Sequence, residues 1–322
     1  MADLPLTSEE LRRRLPEEAT DDVPDELRAL DEKSLPAREV RRIERAAPET
    51  YQDEAPLVLE GQRPAWVPQS YPPRSTARPQ PPTVKHHGHT LEPMFIWQPD
   101  DRRTYSDTSY PWGCVCKITT AAGRQGSGVL IGPRQVLTAS HCVEWSTSDA
   151  EKIEVFRNGA TAAATAFDTI AYAYTQVGPT VGYSEMDEDY AVLVTNERLG
   201  DRFGYLGTKT YDSSWDDERW WMTLGYPGDF PYGAEGAVPT YQTGVSLDED
   251  EFDLGSGRAM TTSADVMKGQ SGSPMFGSWA DGTYVVAVIS SEGEVFFSGA
   301  ENWCAGGSDL GRLVRQARDE NP

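Results

Sequence analysis

A hydroxyl is a weak nucleophile at neutral pH, and to attack a carbonyl it needs a neighbouring base and a group that orients that base. Three blocks of this sequence hold residues of those types. Val136-Leu137-Thr138-Ala139-Ser140-His141-Cys142 carries a histidine, the side chain whose ordinary pKa suits a general base near neutrality. Asp187-Glu188-Asp189 leads into the apolar run Tyr190-Ala191-Val192-Leu193, offering a carboxylate that can fix an imidazole tautomer and stabilise the imidazolium. Gly269-Gln270-Ser271-Gly272-Ser273-Pro274 sets a serine between glycines, which let the backbone turn and expose N–H donors to a developing oxyanion. Only four histidines exist, and His86, His87 and His89 lie in a Pro-rich tract. Such a tract could in principle ligate a metal, but no Cys or second ligand cluster accompanies it, so no metal site is expected. His141 is the one base left.

The elements that position these blocks are short. Cys114 to Thr120, Ser127 to Ile131, Gln135 to Thr138, Ala191 to Thr195, Trp220 to Leu224 and Tyr284 to Ile289 are rich in Val, Ile, Tyr and Trp, between clusters of Gly, Pro, Asp and Asn. That pattern predicts an all-β sandwich or barrel. Asp309 is placed to cap one closing helix with Leu310, Leu313, Val314 and Ala317 on one face. Before about residue 94 the composition differs: 15 of the 23 prolines precede position 100, and apolar residues are sparse. A largely disordered N-terminal segment over 1–93 follows from that. Within it, Thr7 to Glu10 has capping-box spacing, Ala37 to Ala46 reads as a charged helix, and Pro56 to Pro82 reads as an extended linker.

Of the formal charge of −22, residues 1–85 (17 acidic, 13 basic) carry −4, leaving −18 for residues 86–322 (34 acidic, 16 basic). This balance argues against nucleic acid or an anionic membrane as partner, since both reward clustered Lys and Arg. No run approaches the roughly 18 apolar residues of a membrane span.

Chain order narrows the chemistry. His, then Asp, then Ser is the chymotrypsin-type order, whereas hydrolases with a nucleophile elbow run Ser, Asp, His, and Ser273 breaks the G-x-S-x-G elbow pattern. With Tyr110-Pro111-Trp112, the Gly126 to Cys142 block, Gly225-Tyr226-Pro227-Gly228-Asp229 and Gly269 to Pro274, the chain resembles a trypsin-like serine protease of the chymotrypsin fold, nearest the bacterial glutamyl endopeptidase branch. The resemblance covers about residues 94–318. It implies two six-stranded antiparallel β-barrels, over about 106–200 and 203–307, a C-terminal helix on the second, and a protease domain over 94–322. It further implies His141 as base, Asp189 as its orienter with Asp187 in reserve, Ser271 as nucleophile, and the N–H groups of Gly269 and Ser271 as oxyanion hole. The activity implied is serine endopeptidase hydrolysis through an acyl-enzyme, without cofactor, on protein or peptide substrates. A non-catalytic relative that holds peptides in its cleft is the competing reading.

Where the resembling enzymes set specificity, Asp265 stands six residues before Ser271, the position of the carboxylate that pairs with Lys or Arg. Ser290 and Ser291 lie on the following strand. The branch usually places a His there to meet Glu; Val288 to Gly293 has none, and Glu292 and Glu294 would repel an acidic side chain. Gln270 replaces the Asp that pairs with a freed N-terminal amine in trypsin-type zymogens, so that switch is absent, and residues 1 to about 90 are expected to serve as a pro-segment or linker. Cys114, Cys116, Cys142 and Cys304 suggest two disulfides and an oxidising compartment. The relatives' partner for the Cys after the base falls at Gly126, so Cys142 would pair elsewhere, with Cys114 or Cys116. A secreted monomer is expected, although no secretory signal is visible in MADLPLTSEELRRRLPEEA.

Overall fold

Runs such as Val-Leu-Ile and Val-Val-Ala-Val-Ile become strands because β-branched side chains pack well on a pleated surface. The computed structural model describes residues 3–27, 37–44, 56–77, 85–86, 89–90, 100–231, 233–249, 257–295 and 299–322. The first sheet runs Ala164–Ala173, Lys152–Val155, Val115–Thr119, Gln125–Leu130, Gln135–Thr138 and Ala191–Thr195, and the last strand pairs back with the first. Six strands thus close into a barrel, which removes free edges. Ile118, Val129, Leu137, Ile153 and Leu193 fill it and are fully buried.

The second sheet places Trp221–Gly225 between Thr240–Val245 and Pro274–Ser278, followed by Thr283–Val295, Gly299–Gly307 and Gly257–Thr262. Past Val245 the chain bends at Ser246 and pairs Leu247–Glu249 with Gly257–Thr262. That bend links the two ends of the six-strand ring. Trp215, Trp221, Trp279 and Tyr284 form its aromatic base, with Trp215 and Trp279 centroids 5.5 Å apart. The folds expected for both halves are present.

The closing helix is Ser308–Glu320, and it buries the predicted face of Leu310, Leu313, Val314 and Ala317. Two details differ from expectation. Its cap is Gly307, at φ 93°, with Asp309 inside the first turn, where an acidic group suits the helix dipole. The helix is also tied to the first barrel: Gln135 Nε2 donates to the carbonyls of Ala317 and Asn321, and Arg318 Nε donates to Ile131 O. Its apolar face belongs to the same core as Leu137 and Leu193.

The described parts of the N-terminal segment form an arm docked on both sheets. Helix Ser8–Arg13 carries the predicted capping box between Thr7 and Glu10 and buries Leu11. The charged helix expected near Ala37 to Ala46 is instead strand Glu39–Arg42, parallel to Ile170–Ala173. As a helix this stretch would offer only a narrow stripe around Ala37, Val40 and Ile43, whereas a strand gives its backbone groups partners on the barrel and plants Arg38 inside it. Arg38 Nη1 lies 2.7 Å from Glu151 and 3.5 Å from Asp168, all three side chains fully buried. Its Nη2 donates to the carbonyls of Glu144 and Thr147. Within the expected linker, Val58–Leu59 pairs with Thr208–Lys209, Thr76–Ala77 pairs with Thr104–Tyr105, and Val67 and Tyr71 are buried. Backbone pairing of Lys85–His86 with His89–Thr90 makes a small hairpin; His87 lies outside the described residues.

Candidate active site

His141 stands at the close of the strand Gln135–Thr138, in the single turn Ser140–Cys142. That turn is pinned by Ser140 Oγ, which donates to Thr175 O at 2.7 Å and accepts from Val177 N, while Trp145 Nε1 donates to Ser140 O. Asp189 stands two residues before strand Ala191–Thr195, and pairing of Ala191 with Thr138 brings it beside the turn. The carboxylate is fully buried. Its Oδ1 accepts from the His141 backbone N–H at 2.8 Å, and its Oδ2 meets His141 Nδ1 at 2.6 Å. An ionised carboxylate only accepts, so the ring proton resides on Nδ1 and the neutral ring presents Nε2 as acceptor. Burial by itself would lower the imidazole pKa. The neighbouring Cys142 sulfur, the Asp189 charge and the Asp189 hydrogen bond outweigh burial and raise it well above the ordinary range.

Ser271 stands two residues after Gly269, at φ 98°, and directly before Gly272, at φ 81°. No other residue type fits these two positions. A Cβ on Gly269 would come within 2.6 Å of Tyr226 O, and one on Gly272 within 2.2 Å of Ser127 O. Gln270 N–H donates to Met267 O at 2.9 Å and Gly272 N–H to Ile289 O at 2.7 Å. Among the described residues, the N–H groups of Gly269 and Ser271 have no internal acceptor. They are two donors on one loop, one of them the serine's own, with no acceptor among the described residues. Ser127 ties this loop to the first barrel: its N–H donates to Ser271 O, and its hydroxyl donates to Gly269 O and accepts from Tyr226 N.

No hydrogen bond joins Ser271 Oγ to His141 Nε2 among the described residues. Nε2 lies 3.8 Å from Cys142 Sγ, which in turn reaches Ser271 O at 3.5 Å. Such bonds are often loose without substrate and tighten on binding.

The other residues singled out from sequence have partners of their own. Ser290, read as lining a specificity pocket, donates its hydroxyl to Asp189 Oδ2 at 2.6 Å and so supports the orienter. Asp265 is buried, and its Oδ2 accepts from Gln242 Nε2 at 3.0 Å and Asp101 N at 3.3 Å, tying two neighbouring segments together. The side chain of Ser291 lies outside the described residues. Asp187 packs against Gly257, where an added Cβ would come within 2.8 Å of its Oδ2.

The two expected disulfides are not formed. All four thiols are free and buried. Cys142 Sγ faces Gly126, where an added Cβ would sit 2.6 Å away, and Ser271 O, while the two expected partners direct their sulfurs elsewhere. Cys114 Sγ points to the carbonyls of Phe203 and Gly204, and Cys116 Sγ to that of Cys114. Burial pushes the Cys114, Cys116 and Cys304 thiols up, away from reactive thiolate.

Sequence reasoning missed Arg102. It is 1 % exposed and bonds Asp229 of the Gly225 to Asp229 motif as well as Gln270, beside the serine. The motif was the only available signal.

Residues 126–288 match the family model of the trypsin-like peptidase domain. The chain belongs to the trypsin-like peptidase family. Among curated relatives, this trypsin-like chain is 27 % identical over 190 residues to the glutamyl endopeptidase of Bacillus licheniformis, an alignment covering 55 % of the chain and 53 % of that protein. It is 24 % identical over 220 residues to an extracellular metalloprotease of Bacillus subtilis, covering 64 % of the chain and 66 % of that protein. The chain thus spans between half and two thirds of the length of these relatives. Two solved structures share its fold. A Glu endopeptidase matches with TM-score 0.53 at 21 % identity, over 68 % of this chain and 96 % of the other. The protease Anisep from Arthrobacter nicotinovorans matches with TM-score 0.50 at 19 % identity, over 68 % and 99 %.

Proposed function

We propose that this trypsin-like chain is a serine endopeptidase that hydrolyses protein or peptide substrates through an acyl-enzyme. Ser271 attacks the scissile carbonyl while His141 Nε2 takes its proton, and Asp189 stabilises the imidazolium. The oxyanion is received by the N–H groups of Gly269 and Ser271. His141 then returns the proton to the leaving amine, and water repeats the cycle on the ester. One observation carries this reading: the buried Asp189–His141 pair stands opposite a serine loop with two unused N–H donors.

The protease domain in this reading is 94–322, with 1–93 as an arm. Burial of Leu11, Val67 and Tyr71 and the Arg38 ion cluster support a folding role for the arm, as a pro-segment would have. Work outside the cell is consistent with the extracellular relative. The acidic balance of the chain favours approach of cationic substrates.

A fluorophosphonate probe tests the chemistry. It should label the wild-type chain and lose all labelling with Ser271→Ala. A folded wild type that never labels would instead favour a peptide-binding protein without catalysis. Peptide-library profiling separates the substrate classes, and a preference for Arg or Lys before the cut would return Asp265 to a substrate pocket.

A further inference from the structure

Two N–H groups make an oxyanion hole only if the loop bearing them keeps its shape before substrate arrives. In this chain that loop, residues 267–270, is tethered from behind. Arg102 is the tether. Its guanidinium has five N–H donors, and each has an acceptor: Nε bonds Asp100 at 3.1 Å, Nη2 bonds Asp100 at 2.9 Å and Asp229 at 2.7 Å, and Nη1 bonds Asp229 at 3.1 Å and Gln270 Oε1 at 3.2 Å. The same Gln270 oxygen accepts from Met267 N at 2.9 Å. On the neighbouring segment, Gly228 N–H donates to Lys268 O at 2.7 Å, and Asp229 follows at once. The loop is therefore held through the side chain of the residue before the serine and through the carbonyl of Lys268.

We propose that Arg102 is a positioning residue that holds the Gly269–Ser271 loop in working shape in the uncut chain. No new chain terminus is then needed to build the oxyanion hole. A carboxylate before the serine would need a cation delivered to it. A carboxamide needs only a donor, and the bidentate pair with Asp229, together with Asp100 and the Phe230 ring 5.7 Å from the guanidinium carbon, fixes that donor in place. The inference rests on Gly269 and Ser271 serving as the oxyanion donors.

The test uses the full chain, with the fluorophosphonate labelling rate, a p-nitrophenyl ester for the pH dependence of acylation, and thermal unfolding. Wild type should label while its mass shows it uncut. Arg102→Met should label about 10²-fold more slowly, the order of losing one oxyanion donor. It should keep a cooperative unfolding transition and an unchanged pH midpoint, because His141 is untouched. Arg102→Lys should restore part of the rate. Gln270→Met severs the loop from Arg102 without disturbing Asp100 or Asp229, and it decides the matter should Arg102→Met not fold; the same loss is expected. Wild-type rates in folded Gln270→Met would overturn the proposal, as would labelling that begins only after the chain is cut. A wild type that never labels, cut or uncut, would instead sink the serine protease reading on which it rests.

Discussion

Each half of the site is backed by one buried arginine, and the two arginines live in different surroundings. Behind His141, Arg38 enters from the arm and meets Glu151 and Asp168, all fully shielded, while bonding the carbonyls of Glu144 and Thr147 just after the histidine turn. Behind Ser271, Arg102 meets Asp100 and Asp229, whose side chains are 13 % and 18 % exposed, and bonds Gln270. The Arg102 cluster satisfies every donor. The Arg38 cluster holds two carboxylates against one guanidinium, and burial pushes Asp168 up to about 7 despite the nearby cation and raises Glu151 as well. The first arrangement sets the shape of a loop; the second holds down an unfavourable buried charge. Removing one should therefore appear as a rate, and removing the other as stability.

Replacing the orienter on the histidine side should give the largest effect. Asp189→Asn leaves the fold but favours the wrong imidazole tautomer, and kcat should fall about 10⁴-fold. A loss under tenfold would show that His141 is held by its backbone contacts alone. Arg38→Met comes next. Breaking a buried pair leaves uncompensated charge and should destabilise the chain by about 3–5 kcal/mol, with the acylation rate per folded molecule close to wild type. The pH dependence has a definite sign. Burial already makes the folded Asp168 and Glu151 hold protons to higher pH than in the unfolded chain, and losing the cation raises them further, so the variant's stability rises as pH falls through about 7 toward 4. A variant equally destabilised at both ends of that range would contradict the buried-charge account, and a stable variant with slow acylation would erase the contrast between the two arginines.

A smaller shift should appear in the pH profile of the wild type. In the proposed mechanism the base works only when neutral, and Cys142 and Asp189 beside His141 outweigh burial and raise its pKa. The acid limb of kcat/KM should therefore lie above the roughly 6.5 of an unperturbed histidine, and a midpoint at or below that value would mean the pair with Asp189 is weaker than its 2.6 Å separation implies. Smallest of all should be Thr7→Ala. Loss of this exposed helix cap should lower stability by about 1 kcal/mol or less, without altering acylation. A large effect there would mean that the arm acts through its whole length and not mainly through Arg38.

The residues of the candidate site could be singled out in the sequence because the chemistry proposed for them depends on type and order. One imidazole, a carboxylate before an apolar strand and a serine among glycines are visible without coordinates, and β-branched runs announce strands whose partners lie far away. The capping box at Thr7 was equally local, and it formed as written. What failed to show was everything decided by a distant partner. Nothing near Glu39 says that an Arg-rich stretch will pair with a barrel strand more than 120 residues later. Ser290 looks the same in sequence whether it faces a substrate or Asp189. Even cysteines do not carry their pairing with them; a glycine at 126 left Cys142 beside His141 without a disulfide partner. Sequence by itself determined the type of chemistry and the strand-rich class, since both follow from side-chain chemistry and local periodicity. Tertiary structure decided which charges share a buried space, and so why one arginine steadies the serine loop while the other holds the arm to the histidine side, because desolvation and hydrogen-bond geometry exist only once the chain has closed.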